Sequence, residues 1–202
     1  TGNEDDQIDC VEGWNGKVQF AIANKAGYGD KILEHDNNET NYTATPVTNP
    51  VYYNVTLVGL ASTRTYAHMR RGIQPTFRNV YAYGCQADRA FYVVDSPTVV
   101  VLDNALVEAS GTQAYTAASS GTVTAGVNIT ATNAPGTSYL AESGIDTVAH
   151  LSAASWVPQT ATAVTPATPP NDGFFDITAT FIGAVKDSAN NWTSGWTAYP
   201  EN

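Results

Sequence analysis

The predicted fold class is all-β, a right-handed parallel β-helix (a solenoid) with an irregular β-rich C-terminal part. Three observations predict it. Helix periodicity is nearly absent, since no segment carries apolar residues at i, i+3, i+4 and i+7 over three turns. Short β-like runs recur instead, closed by Gly, Asn, Asp or Pro. The runs also repeat: 54–59 (NVTLVG) returns as 79–84 (NVYAYG), each followed by a second strand. A single coil of that kind cannot bury its inner face, whereas stacked coils can. Their strands then lie about 4.8 Å apart in parallel sheets.

The elements follow in chain order. Runs at 17–23 (KVQFAIA), 31–35 (KILEH), 52–58 (YYNVTLV), 66–69, 77–83 (FRNVYAY), 90–94 (AFYVV) and 99–102 (VVVL) read as strands, and 106–108 is weaker. The turns between them are supplied by 27–30 (GYGD), 49–50 (NP), Gly72, Gly84 and 96–97 (SP). Simple alternation points Val18, Phe20, Ile22, Val55, Leu57, Val80 and Ala82 inward. It points Gln19, Thr56, Asn79 and Tyr81 outward. Residues 1–109 form the expected coils, and 110–202 an Ala/Thr-rich β region. Within the latter, 157–170 (VPQTATAVTPATPP) is a Pro/Thr loop and 174–185 (FFDITATFIGAV) a strand candidate. Trp192 and Trp196 suggest a cap over an open end of the core, with surface binding as the alternative.

Composition limits the partners. The chain has 202 residues, 14% of them charged, and a net charge of −10. Such acidity opposes nucleic-acid binding, which depends on neutralising phosphates, and opposes attachment to anionic membranes. No window approaches the length of apolar sequence that a transmembrane helix needs. After Arg89 the next basic residue is Lys186, so trypsin-like proteases find no cleavage site in the stretch between. No signal peptide is visible at Thr1, which is expected of a processed chain or a fragment. If Cys10 and Cys85 paired outside the cell, the bridge would contribute about 2–4 kcal/mol. Two separate buried thiols are the alternative, favoured by the coil layers expected between them.

Five motifs stand out: DDQIDCVEGWNGKVQF from Asp5 to Phe20, GDKILEHDN from Gly29 to Asn37, NVTLVG from Asn54, MRRG from Met69, and FIGA…WTSGWT between Phe181 and Thr197. Together they resemble a group of secreted right-handed β-helix surface proteins of Gram-negative bacteria. Ile8 stands where the pattern usually has Phe, and Met69 where it has Leu. Members usually carry several more coils before the DD segment, so the resemblance implies a C-terminal portion or a short member. It implies export and a surface location. It names no reaction, because this fold hosts polysaccharide lyases, adhesins and passive scaffolds.

Candidate chemistry is sparse. Asp5, Asp6 and Asp9, flanked by Glu4 and Glu12, are the candidate Ca2+ ligands, although the spacing is not that of an EF-hand and a solvated turn is the plainer reading. Glu34, Asp36, Arg70 and Arg71 fall on equivalent strands of neighbouring coils. They are binding candidates, because lyases on this fold use carboxylate-bound Ca2+ and an Arg base; a ladder ion pair is the plainer reading. His35, His68 and His150 lack metal-site spacing, and no nucleophile elbow, P-loop or dinucleotide fingerprint occurs. Sequons occur at Asn38, Asn41, Asn54, Asn128 and Asn191. Tyr52, Tyr81, Tyr83 and Tyr92 form a possible sugar-stacking row, or half-buried packing. The expected function is a non-catalytic extracellular structural protein: a surface scaffold, an adhesin or a self-assembling fibre subunit without cofactor. Carbohydrate binding or polysaccharide degradation is the alternative.

Overall fold

The computed structural model describes residues 5–25, 30–59, 65–84, 89–109, 114–132, 156 and 164–195. Every strand pairing among them is parallel. One sheet stacks β1 (Ile8–Cys10), β3 (Leu33–Asp36), β5 (Ala67–Arg70), β7 (Phe91–Val94) and β10 (Tyr115–Ala118) in that order. The second stacks β2 (Lys17–Asn24), β4 (Val51–Val58) and β6 (Thr76–Tyr83). Beyond β6 this sheet divides: Thr76 and Phe77 pair with β8 (Val99–Leu102), and 80–82 pair with β9 (Ala105–Glu108). β11 (Thr122–Ala125) and β12 (Ile129–Thr132) then continue β8 and β9. The fold is therefore the expected parallel solenoid. Its coils run through Thr132, past the boundary expected at 109.

One backbone feature explains both the division and an error in the alternation. Phe20, Asn54, Asn79 and Asn104 occupy equivalent positions in successive coils, and all four are left-handed, with φ of 52–59°. Such a residue bends the strand, so the inward series becomes 18, 21, 23 rather than 18, 20, 22. Val55, Leu57, Val80 and Ala82 do enter the core, together with Tyr52, Phe77, Leu102 and Ala105. Phe20 and Ile22 do not, contrary to the alternation: Phe20 stacks on Phe181 (centroids 6.2 Å apart) and Ile22 joins a second cluster outside the sheet. Asparagine suits the corner because its short polar side chain tolerates φ > 0 better than other non-glycine residues.

The corner side chains project outward and bind 164–185. Asn104 Nδ2 donates to Thr165 O (2.8 Å). Asn79 holds Ala167 through both amide atoms, donating to its carbonyl (2.9 Å) and accepting from its N–H (2.7 Å). Asn54 Nδ2 donates to Ala179 O (3.1 Å) and Phe181 O (2.6 Å), and Gln19 Oε1 accepts from Asp176 N (2.8 Å). This segment is thus a strap across four coils. It is not the strand expected at 174–185, because its backbone groups bond to corner groups rather than to a ladder. Gly183 (φ +83°) passes so close that an added Cβ would lie 3.0 Å from Thr56 Oγ1. Val164, Ile182 and Val185 of the strap, with Trp156, join Val58, Tyr81 and Leu106 in the second apolar cluster. Thr56 and Tyr81 do point out of the solenoid, as expected, yet the strap buries both. Trp192, expected over an open end, instead donates to Ala184 O (2.8 Å) beside the strap; Trp196 lies outside the described residues.

A polar group sits inside the first two coils. Cys10 N donates to His35 Nδ1 (3.2 Å), His35 Nε2 lies 2.7 Å from the Tyr52 hydroxyl, and that hydroxyl lies 3.5 Å from Cys10 Sγ. Burial, with the Asp9 charge adding to it and the Tyr52 hydrogen bond opposing, leaves the Cys10 thiol above its ordinary pKa. Cys10 is a free thiol, and Cys85 lies outside the described residues. Burial pushes the His35 imidazole down to about 4.

Two expectations follow. Asn79→Ala loses the left-handed preference and strands the Ala167 amide, together about 2–4 kcal/mol in chemical denaturation. Asn79→Gly restores the backbone preference alone, so it recovers part of that loss; equal losses in the two variants would contradict the corner account. For His35, both states are neutral above pH 6.5, and only the unfolded chain gains the proton between 6.5 and 4. Acidification through that window therefore removes stability, on the order of 3 kcal/mol. Comparing wild type with His35→Gln cancels the other titrations: the difference must fall with pH, and a constant difference would refute the assignment.

Candidate functional site

The outer face of the five-stranded sheet collects the charged residues. Parallel register places Asp9 beside Glu34, Glu34 beside His68 and His68 beside Tyr92. It also places Asp36 beside Arg70. All of these occupy the alternate positions that point away from the core, so stacking coils builds two columns of polar groups.

Glu34, Asp36, Arg70 and Arg71 meet as the repeat implied. Arg70 Nε donates to Asp36 Oδ1 (2.7 Å) and its Nη2 to Glu34 Oε2 (2.6 Å). Arg71 Nη1 donates to Asp36 Oδ2 (2.5 Å), and its Nη2 lies 3.3 Å from Glu39 Oε1. Arg71 can turn back onto Asp36 because it is left-handed (φ 55°) and precedes Gly72 (φ 90°). Gly72 is required there, since an added Cβ would lie 1.8 Å from Tyr42 O. Burial works against charge on both guanidinium groups, but Asp36 outweighs it and their pKa values are raised.

The neighbours were not legible as site residues. Lys31 Nζ lies 3.1 Å from Glu34 Oε1 and also contacts Asp30, and His68 Nδ1 lies 3.3 Å from Glu34 Oε1. Burial, then the Arg70 and Lys31 charges, lower the His68 pKa. His68 stacks on Tyr92 (5.2 Å), and the Arg89 guanidinium lies over the same ring (4.8 Å). The signal that could have found His68 and Tyr92 is their common register with Glu34. Of the tyrosine row, only Tyr92 joins this face: Tyr52 is in the core, and Tyr81 is buried beneath the strap with Tyr83 stacked on it.

The acidic N-terminal trio does not assemble. Of the three, Asp6 alone joins a carboxylate cluster: its oxygen and those of Asp30 and Glu34 lie within 4.8 Å of one another. Asp5 and Asp9 stay outside it. Burial is the main cause that lifts Asp6 to about 6, with Glu34 and Asp5 adding to it and the Lys31 N–H bond opposing. Ca2+ wants six to eight oxygens, whereas Lys31 already places an ammonium against Asp30 and Glu34. The group is an ion-pair cluster and does not fit Ca2+ as it stands.

Asp36 serves both arginines, so Asp36→Asn leaves two half-buried cations short of a counter-charge. The expected loss is about 1–3 kcal/mol by chemical denaturation. The double variant with Arg70→Met should lose less than the sum of the singles. Strict additivity would show that the pair is uncoupled.

Comparison with curated proteins and with solved structures returned no match. A family model described as a pectate-lyase-like beta helix domain matches residues 1–197. That span contains every coil, the strap and the whole charged face, so the chain belongs to the pectate-lyase-like beta-helix family.

Proposed function

We propose that the chain is a non-catalytic structural module of an extracellular β-helix protein, acting as a surface scaffold, an adhesin or a self-assembling subunit. One observation carries this reading: the arginines that could serve as a lyase base are closed on carboxylates. Arg70 divides between Asp36 and Glu34, and Arg71 turns onto Asp36. A base must be neutral to accept a proton, and these contacts raise the arginine pKa values further. The Lys/Arg-free stretch between Arg89 and Lys186 supports a life among extracellular proteases. The motif resemblance to secreted proteins of Gram-negative bacteria supports the same location.

A second reading has an observation of its own. Tyr92, with Arg89 over its ring and His68 stacked on it, offers an aromatic and cationic patch suited to an acidic sugar chain. The family description adds weight to polysaccharide as the ligand class. Incubation with acidic and neutral polysaccharides separates the readings. The structural module yields no unsaturated or reducing-end product, and forms regular assemblies by negative-stain electron microscopy as concentration rises. Product formation that Arg70→Ala or Arg71→Ala abolishes would overturn it. Dispersed particles that bind glycan, and lose it with Tyr92→Ala, would favour the second reading.

A further inference from the structure

We propose that Asn41 is an acceptor for an N-linked glycan, displayed by a loop that one coil carries for the purpose. In most coils the connection between the two sheets is short, as at 11–16, 71–75 and 95–98. Between β3 and β4 it is the long loop 37–50. The base of this loop is anchored. Asn37 is fully buried, donates from Nδ2 to Tyr42 O (3.2 Å) and Ala44 O (3.0 Å), and accepts from Thr48 N (2.8 Å). Tyr42 O rests on Gly72. Between those anchors Asn41 and Thr43 are both exposed.

The five sequons differ in what a transferase could reach. It must take the asparagine amide nitrogen as nucleophile and read the hydroxyl two residues on. Asn54 is buried and donates its amide to strap carbonyls. The hydroxyl partner of Asn191 is Thr193, only 4% exposed. Asn128 sits in the stacked coils, where its N–H donates to Asp103 and its carbonyl accepts from Ala105 N. Asn38 donates its amide to both carboxylate oxygens of Glu12 (2.9 and 3.1 Å). At Asn41 the Thr43 hydroxyl donates to Oδ1 (2.9 Å), which leaves Nδ2 facing solvent with no protein partner among the described residues.

The co-substrate class is a lipid-diphosphate-linked oligosaccharide. A bond forms between Asn41 Nδ2 and the anomeric carbon, and the bond from that carbon to the diphosphate breaks. The lipid diphosphate leaves, and one amide proton passes to a base on the transferase. In the cell this requires the export proposed above. A purified system does not, so its failure and that of the location are read separately.

The experiment treats the folded full chain with purified oligosaccharyltransferase and lipid-linked oligosaccharide, read by intact mass and peptide mapping. One glycan adduct at Asn41 is expected, kept by Thr43→Ser and abolished by Asn41→Gln and by Thr43→Ala. Asn54 should accept sugar only in the denatured chain. A folded chain without an adduct at Asn41, whether or not a peptide spanning 36–46 accepts one, would overturn the proposal. So would an adduct that survives Asn41→Gln.

Discussion

A single left-handed residue at the same corner of successive coils sets the geometry of this protein. Phe20, Asn54, Asn79 and Asn104 stack in register, so one conformational choice is repeated along the solenoid axis. Each bend reverses the alternation beyond it, which brings Val55, Leu57, Val80 and Ala82 into the core. It also turns a side-chain amide outward at Asn54, Asn79 and Asn104, and a ring at Phe20. A left-handed non-glycine residue costs about 1–2 kcal/mol, and here the loss is offset because the same side chains pair with the strap backbone. Corner and strap therefore depend on each other.

The opposite face follows from the same stacking. Parallel coils put like positions one above another, so a carboxylate column faces whatever the next coil offers at that position. Glu34 meets His68, and Asp36 meets Arg70. Had the next coil offered acids, repulsion at this spacing would have destabilised the sheet. Arginine instead converts the column into a ladder of charge-assisted bonds between coils. The net charge of −10 is thereby compatible with a dense group of ionised residues on one face.

Much of the architecture was legible because a solenoid writes its period into the sequence. The NVTLVG and NVYAYG repeats located β4 and β6, and the equivalence of 32–37 and 66–72 brought Glu34, Asp36, Arg70 and Arg71 together. The phase within β2 was not legible. Alternation presumes one backbone conformation throughout, and Phe20 gives no local sign of a positive φ; the asparagines at equivalent positions are the only hint. The strap was misread for a related reason. Apolar residues in 174–185 suggest a strand, but their partners are side chains more than a hundred residues away. Lys31 and Asp30 escaped notice as site residues because their link to Glu34 runs through a turn rather than through strand register.

Native-state hydrogen exchange tests the mutual dependence of corner and strap most directly. The Ala167, Gly183 and Ala184 amides lie outside any strand, yet donate to Asn79 Oδ1, Asn79 O and Thr56 Oγ1. If the strap is part of the cooperative fold, they exchange as slowly as the amides of β4 and β6. Exchange as fast as that of the exposed residues 39–41, while β4 and β6 stay protected, would show a loosely laid strap and contradict the account.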